Sequence, residues 1–371
     1  MTSSDLDTQI LSIINQGVDQ PLSDSEFNKI ALELFEYQFT HNLPYQKYCK
    51  NLDITPSKIS HWSKILFVPT STFKEAVLST FPSSKAKKVF YTSGTTLKKS
   101  GRHYLENLML YEEALLTNFK SHFKIKSERW PLLVLTPSPL EAPHSSLSHM
   151  MGCLQREIGY SKTQTYFIQK GQLLIHLLRK KLKQFISQKE PVLILGTAFS
   201  FVHFLDACAQ QKWGLKLPIG SRVMETGGFK GKSRELSKEN LYKEIQNILG
   251  VPLTHIINEY GMTEMGSQFY DNTLKNRIEK KRMPVYKNIP PWVRTRILNP
   301  LTLEEEPPGK VGLLQHYDLA NRSSVMGILT EDLGVKIKDG FEILGRAPLA
   351  EARGCSLNIE QQLILGKNLH S

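Results

Sequence analysis

Apolar residues recur at two different spacings along this 371-residue chain. Those that follow the capping sequence Ser23–Glu26 lie at helical intervals, which predicts helices over residues 1–60. Between residues 61 and 283, short apolar runs such as Leu132–Thr136 alternate with helical patterns. This alternation predicts layered, mainly parallel sheets with helices, which is an α/β fold.

Prolines interrupt the chain repeatedly after residue 283, and short apolar runs lie between them. These runs, of which Val293–Leu298 is one, predict a small β subdomain beside the α/β core. The sequence therefore predicts four parts: a helical N-terminal region at 1–60, an α/β core at 61–283, the β subdomain at 284–346 and a tail at 347–371.

Composition narrows the possible partners and location. The 40% of hydrophobic residues can bury a core, and the net charge of +12 favours anionic ligands. The basic clusters at 179–183 and 279–282 lack interleaved aromatic rings, so nucleic-acid binding is not predicted. Four cysteines without metal-ligand spacing are typical of a reducing compartment. Without a visible secretory signal or an apolar stretch of membrane-spanning length, the sequence predicts a cytoplasmic protein.

A turn rich in hydroxyl groups follows the strand pattern at Val89–Tyr91. Its backbone N–H groups and hydroxyls can bind phosphate oxygens, and its glycine permits a close approach. Lys98, just after the turn, can neutralise a polyphosphate. The residues of the turn that are predicted to bind phosphates are Thr92, Ser93, Gly94, Thr95 and Thr96.

A second motif at Tyr260–Glu264 follows an apolar run. That run predicts a buried strand, so the motif lies at a strand's carboxyl end, where open α/β sheets bind ligands. Tyr260 can stack on adenine, and the flexible Gly261 follows it. Thr263 can reach the α-phosphate, and Glu264 can hold Mg²⁺ through oxygen.

In this order the two motifs resemble the nucleotide-binding motifs of acyl-adenylating enzymes, which activate carboxylic acids with ATP. The loop Thr226–Ser233 does not fit a Walker A motif, because only three residues separate Gly227 from the Gly-Lys-Ser ending. The resemblance implies instead that Gly227 and Gly228 lie at the edge of adenine. It also implies that Asp332 accepts hydrogen bonds from the ribose hydroxyls and that Arg346 belongs to the hinge.

The C-terminal stretch Gly345–Leu357, with its Arg-Gly-Cys-Ser sequence, resembles the end of the acyl-protein synthetases of bacterial bioluminescence, the LuxE type. The resemblance implies the large-domain fold of adenylating enzymes, ATP and Mg²⁺ as cofactors, and a long-chain fatty acid as substrate. It implies that Thr263 and Glu264 act in catalysis, that Cys355 accepts the acyl group, and that a partner acyl reductase receives it. The candidate residues of the substrate pocket are Ser145, Ser146 and Leu147.

Some features depart from the wider superfamily. Leu97 replaces the glycine that usually follows the phosphate turn, and Glu331 replaces the glycine usual before Asp332. The chain also stops soon after Cys355, without the mobile C-terminal domain that carries a catalytic lysine in most adenylating enzymes. This ending argues against an ordinary acyl-CoA ligase. Two alternatives stay open: an enzyme similar to phenylacetate-CoA ligases that acylates coenzyme A or a carrier protein, and a catalytically inactive nucleotide-binding scaffold, which Leu97 and Glu331 alone support. The chain length of the acid and the oligomeric state do not follow from the sequence.

Overall fold

The computed structural model describes residues 2–92, 100–160, 164–227, 234 and 236–347. The protein divides into two compact units, each built of segments that alternate along the chain. The first unit comprises Met1–Asn118, Gly261–Phe269 and Tyr286–Ser371, and the second comprises Phe119–Tyr260 and Tyr270–Val285. The four-part division by sequence character stays a prediction.

The α-helices and strands of the described residues are numbered in chain order. The helices are α1 Ser3–Gln16, α2 Asp24–His41, α3 Leu43–Asn51, α4 Thr72–Glu75, α5 Met109–His122, α6 Ser146–Ile158, α7 Ile175–Gln188, α8 Ala198–Gln210, α9 Lys238–Leu249 and α10 Thr273–Ile278. The strands are β1 Val68–Pro69, β2 Lys88–Tyr91, β3 Arg102–Leu105, β4 Leu132–Leu135, β5 Ile168–Gln169, β6 Gln172–Leu173, β7 Leu193–Thr197, β8 Arg222–Thr226, β9 Ile256–Tyr260, β10 Phe269–Tyr270, β11 Lys287–Asn288, β12 Val293–Leu298, β13 Val311–Asp318, β14 Gly327–Ile337 and β15 Gly340–Arg346.

A parallel sheet forms the centre of the second unit, with the strand order β10-β9-β8-β7-β4. Strands β4, β7, β8 and β9 pair in parallel. Helices α7, α8 and α9 share one hydrophobic core with these strands, to which they contribute Phe185, Phe201 and Leu241 respectively. The predicted alternation of buried strands and helices is confirmed, because a parallel sheet buries its apolar strands only where helices cover it.

Helix ends in the second unit depend on local capping as well as on the apolar pattern. The sequence predicts a helix from residue 233 or 234, whereas α9 begins at Lys238, because the Ser237 side chain accepts a hydrogen bond from the Asn240 backbone at 3.3 Å. The helix stops at Gly250, as predicted. The φ of Gly250 is 70°, in the left-handed region that glycine adopts without strain.

A six-stranded sheet lies in the first unit, in the order β11-β15-β14-β13-β12, with β1 paired in parallel to β14. Its other pairings are antiparallel. The predicted β subdomain is therefore part of a sheet that also takes Val68–Pro69, and this sheet is mainly antiparallel rather than parallel. Antiparallel neighbours need only short connections, which the segment rich in proline supplies.

The N-terminal helices of the first unit are tied to a segment at residues 319–326. Buried Arg322 lies 2.7 Å from the carboxylate of Asp7 in α1 and 2.5 Å from that of Glu106. The side chain of Gln38 in α2 donates to the Asn321 carbonyl at 3.0 Å.

Among the helices that the structure describes, none has the length and apolar character needed to cross a membrane.

Strand β14 carries a bulge where it faces β13. Leu313 pairs with Leu333 and Gln315 pairs with Leu329, so a step of two residues on β13 matches a step of four on β14. The residues Thr330–Asp332 therefore leave the regular ladder with β13, although Asp332 still pairs with Arg346 of β15. Such bulges redirect side chains away from the plane of the sheet and are frequent next to active sites.

Candidate active site

Two buried side chains hold the backbone of Thr263 and Glu264 in the first unit. His103 donates from Nδ1 to the Thr263 carbonyl at 2.7 Å, and the Asn321 amide donates to the Glu264 carbonyl at 2.8 Å. Burial lowers the pKa of His103 to about 4, so the ring is neutral at pH 7 and its one proton lies on Nδ1. These two bonds fix the backbone from which the Glu264 side chain extends.

Asp318 holds the residues that follow Glu264. Its buried carboxylate accepts hydrogen bonds from the Gly266 N–H at 3.0 Å, the Ser267 hydroxyl at 2.8 Å and the Ala320 N–H at 3.0 Å. Gly266 also lies so close to Ala320 that an added Cβ would be 3.0 Å from the Ala320 carbonyl carbon. A larger residue does not fit there, and the loop after Glu264 is held as firmly as the motif itself.

Replacing Asp318 by Asn is expected to destabilise the protein by about 2–4 kcal/mol. One carboxylate oxygen would become an N–H donor that faces existing donors. Chemical denaturation measures this loss in the free energy of unfolding. Asp339→Asn, in the exposed turn between β14 and β15, is the matched control and should lose less than about 0.5 kcal/mol. An Asp318→Asn variant as stable as this control would contradict the assigned role.

The Glu264 carboxyl group is buried, with only 8% of the residue exposed. Its pKa is raised to about 7, mainly by burial and to a smaller extent by the charge of Glu331, whereas a backbone hydrogen bond and the charges of Lys74 and Arg346 act in the opposite direction. Water contributes little to the stability of the ionised form, so a bound cation would stabilise it strongly. The electrostatics of the site therefore favour a cation at Glu264.

Mg²⁺ at Glu264 would need oxygen ligands from outside the protein. Within the described ranges, no three His, Cys, Asp or Glu side chains are arranged to hold a metal ion. Mg²⁺ usually keeps several waters and takes one or two protein carboxylates together with substrate phosphates. Glu264 therefore fits a magnesium ion that arrives with a nucleotide, and the described residues do not fit a metal site made by the protein alone.

The base of the predicted phosphate turn is closed by two hydrogen bonds. The Thr92 N–H donates to the Gly101 carbonyl at 2.9 Å, and the Gly101 N–H donates to the Thr92 hydroxyl at 2.9 Å. The Thr92 hydroxyl therefore has an acceptor role within the protein that the sequence did not indicate. The rest of the predicted turn lies outside the described residues and stays a prediction: Ser93, Gly94, Thr95, Thr96 and Lys98.

Asp332 lies in the bulge of β14, whereas the sequence predicts it just past the end of a short strand. Arg346 is directly opposite on β15, 3.8 Å from the Asp332 carboxylate and 3.9 Å from that of Glu331. The Arg346 side chain is 70% exposed, so each pair contributes less than about 1 kcal/mol. The charges of Arg346 and Glu331 also influence the pKa of the Glu264 carboxyl group.

In the second unit, Gly227 directly follows β8 and Tyr260 is the last residue of β9, and these two neighbouring strands are parallel. Gly227 has a φ of 72°, and an added Cβ would meet nothing within 4 Å, so its backbone conformation rather than crowding requires glycine. Gly228 lies outside the described residues, and Gly261 belongs to the first unit. The predicted contacts of these residues with adenine stay predictions.

Sequence reasoning missed buried acidic residues near the same ends of β8 and β9. The Glu225 carboxylate accepts hydrogen bonds from the Asn258 amide at 2.7 Å and the Tyr242 hydroxyl at 3.3 Å. Asp271 pairs with Lys238 at 2.9 Å. The partners of these carboxylates come from other elements, so the sequence around each gives no sign of them. The contacts order the ends of the strands.

The predicted pocket residues Ser145, Ser146 and Leu147 lie at the start of α6. Ser145 caps this helix, because its Oγ accepts a hydrogen bond from the Ser148 N–H at 3.1 Å. Capping explains a hydroxyl at Ser145 without a ligand. The substrate-pocket role of the three residues stays a prediction.

Cys355 lies outside the described residues, and the other cysteines are buried. Burial raises the pKa of Cys49 to about 12 and that of Cys208 to about 11. Cys153 is 1% exposed. These three thiols are therefore poorly placed to act as nucleophiles, since the thiolate is the reactive form and must reach the substrate.

A protein-family model described as acyl-protein synthetase, LuxE, matches residues 1–364. The chain belongs to the LuxE family of acyl-protein synthetases. The long-chain-fatty-acid–luciferin-component ligase of Aliivibrio fischeri is 23% identical over 362 residues, which cover 92% of this chain and 89% of that protein. The ligase of the same name from Vibrio harveyi is 23% identical over 376 residues, with 95% and 93% coverage. The resemblance to the LuxE type is confirmed for the chain as a whole, and the match to the LuxE family also covers the N-terminal helices.

The fold of this LuxE-family chain is that of adenylating ligases. An open conformation of 2-hydroxyisobutyryl-CoA ligase in complex with 2-HIB-AMP and CoA has a TM-score of 0.64 at 14% identity, covering 88% of this chain and 71% of the ligase. The same ligase in the postadenylation state gives 0.65 at 14% identity, with 90% and 69% coverage. At this identity the likeness concerns the fold alone, and it confirms the predicted architecture.

Proposed function

We propose that this LuxE-family chain is an ATP-dependent ligase that activates a long-chain fatty acid and transfers the acyl group to a protein thiol. The observation that carries the proposal is the buried Glu264 carboxylate, which has a pKa raised to about 7 and a backbone held by His103 and Asn321. Family membership and the fold support the same chemistry. The names of the two curated relatives supply the class of substrate.

In the first step, a fatty-acid carboxylate oxygen attacks the α-phosphorus of ATP. The bond from this phosphorus to the bridging oxygen breaks, and pyrophosphate leaves with the bonding electrons. Glu264 would hold Mg²⁺, which would supply positive charge to stabilise this leaving group. Thr263 binds the α-phosphate, and Asp332 accepts hydrogen bonds from the ribose hydroxyls. No proton moves in this step, and the ionised form of Glu264 is the one that would hold the metal ion.

In the second step, a cysteine thiolate attacks the acyl carbonyl carbon of the adenylate, and AMP leaves. Cys355 is the proposed acceptor because it lies in the Arg-Gly-Cys-Ser sequence that resembles the end of the LuxE type, and the burial of the other three cysteines supports this choice. Arg353, two residues away, would stabilise the thiolate. The thioester keeps the acyl group activated for delivery to an acyl reductase, which is the proposed partner.

Pyrophosphate exchange tests the first step. Labelled pyrophosphate should enter ATP only when Mg²⁺ and a long-chain fatty acid are both present, because exchange requires reversible formation of the acyl adenylate. Exchange that is independent of the acid would contradict fatty-acid activation. No exchange across a broad panel of acids would favour the inactive scaffold.

Replacing Asp332 by Ala is expected to raise the KM for ATP roughly tenfold or more, because the loss of a charged hydrogen-bond acceptor costs about 1.5–3 kcal/mol. The KM for the fatty acid should change little. Exchange rates at varied ATP and saturating acid measure the effect, with Asp339→Ala in the neighbouring exposed turn as the control. Equal increases in both KM values would indicate that Asp332 acts in folding instead.

A further inference from the structure

The segment Thr70–Glu75, which contains α4, lies next to the bulge that carries the proposed ribose-binding residue. Strand β1 pairs in parallel with β14, with Pro69 opposite Leu329. The Thr70 N–H donates to the Leu329 carbonyl at 3.1 Å. Leu329 directly precedes Thr330–Asp332, so the start of the segment is fixed beside the bulge.

Phe73 connects the same segment to two further nucleotide motifs. Its ring meets that of His103 edge-on, with the centroids 5.7 Å apart, and His103 holds the Thr263 carbonyl at 2.7 Å. Gly101, at the base of the phosphate turn, lies so close that an added Cβ would be 3.1 Å from the Phe73 carbonyl carbon. The segment Thr70–Glu75 therefore contacts Leu329, His103 and Gly101, each of which adjoins or holds one of the three motifs that the first unit contributes to the proposed ATP site.

Lys74 is the one cation in this segment, and its side chain is half-buried. Its charge acts on the buried Glu264 carboxyl, which Arg346 and Glu331 also influence. Among the described residues, neither an ion pair nor a side-chain hydrogen bond engages the Lys74 ammonium. A half-buried ammonium has lost part of its hydration, so an anion bound beside it would restore favourable interactions.

We propose that Lys74 binds the polyphosphate of ATP beside the Thr263–Glu264 segment. This inference rests on the proposed function and adds a residue that none of the nucleotide motifs contains. A lysine ammonium is a compact point charge with three donors, which suits phosphate oxygens of varied geometry. When the bond from the α-phosphorus to the bridging oxygen breaks, charge develops on the pyrophosphate, and Lys74 stabilises this charge from the protein side.

Substitutions of Lys74 and one matched control test its role. Lys74→Met removes the charge but keeps the length, Lys74→Arg keeps the charge, and Lys47→Met at an exposed position of α3 is the matched control. Pyrophosphate exchange is measured at about pH 9, roughly two units above the Glu264 pKa of about 7. Lys74→Met should raise the KM for ATP and for pyrophosphate roughly tenfold or more, with the KM for the fatty acid within about twofold. Lys74→Arg should show only a small part of this rise in KM, and the control should have the KM values of the wild type.

An unchanged KM for ATP in Lys74→Met, or a rise confined to the KM for the fatty acid, would overturn the inference. A rise in the KM for ATP at pH 7 that is absent at pH 9 would overturn it too, because it would show that Lys74 acts only through the protonation of Glu264. Lys74→Gln is measured in parallel, so that a failure of Lys74→Met to fold leaves a second neutral variant.

Equilibrium binding of labelled ATP separates this inference from the proposed function, because binding requires no turnover. A wild-type protein that binds ATP without acid-dependent exchange would contradict the ligase. In that case, weaker ATP binding by the neutral variants would still support Lys74 as a polyphosphate ligand, and equal binding would overturn it. A wild-type protein that binds no ATP would overturn both.

Discussion

Replacing Glu264 by Gln is expected to lower acid-dependent pyrophosphate exchange roughly a hundredfold or more. The amide keeps the size of the side chain but has no charge with which to hold a magnesium ion, so the charge of the leaving pyrophosphate is left uncompensated. Exchange rates at saturating substrates measure the effect. Glu342→Gln, at an exposed position of β15, is the matched control and should retain full exchange. Full exchange in Glu264→Gln would contradict the proposed metal ligand.

The same substitution is expected to stabilise the folded protein above pH 7. The ordinary pKa of the Glu264 carboxyl is 4.5, whereas burial raises it to about 7 in the folded protein. The folded state therefore binds this proton more tightly, and stability falls as the pH rises from about 4.5 through about 7. Gln is neutral in both states and avoids this loss.

The free energy of unfolding of Glu264→Gln should therefore exceed that of the wild type by about 3 kcal/mol at about pH 8.5 and nearly equal it at about pH 4. Chemical denaturation at the two pH values measures the difference. A variant that is less stable than the wild type at both values would show that the Glu264 carboxylate stabilises the fold, which would contradict its assignment as a functional group held at a cost in stability.

Replacing Cys355 by Ser is expected to abolish covalent acylation of the protein while leaving pyrophosphate exchange intact. Exchange needs only the adenylate, whereas a thioester needs the thiol. The protein is incubated with ATP and labelled fatty acid, and label that neutral hydroxylamine removes is counted as thioester. Wild-type protein should carry this label, and Cys355→Ser should not.

Cys208→Ala is the matched control for the acceptor assignment, because Cys208 is buried in α8 and burial raises its pKa to about 11. It should retain the hydroxylamine-labile label. Label that persists on Cys355→Ser would assign the acceptor to another cysteine. Acylation of coenzyme A together with an unlabelled wild-type protein would favour the alternative similar to phenylacetate-CoA ligases.

The sequence predicts a strand well where the residues of that strand themselves form a recognisable apolar run. The run at β4 is wholly apolar and buried, and β12 has the predicted bounds Val293–Leu298. The bulge of β14 was not predictable in this way. The apolar run Gly327–Leu329 ends before polar residues, which locally resembles a strand end, and only pairing with β13 and β15 shows that the strand continues.

The position of the Thr263–Glu264 motif was predictable because the strand that precedes it is adjacent in sequence. The side chains that hold it were not, since His103, Asp318 and Asn321 come from distant parts of the chain. A single buried His or Asp is common in protein cores, and its sequence neighbours do not reveal which carbonyl or N–H it contacts. Lys74 was missed for the same reason, because only the packing of Phe73 on His103 brings it near the motif.

Detection of the acyl adenylate itself tests the central claim most directly. Cys355→Ser protein is mixed with ATP, Mg²⁺ and a long-chain fatty acid, quenched rapidly and analysed by mass spectrometry. We predict a stoichiometric amount of acyl-AMP with an equal release of pyrophosphate, because the adenylate forms and the acceptor thiol is missing. The appearance of ADP and phosphate, or the absence of acyl-AMP with every acid tested, would contradict the proposed ligase.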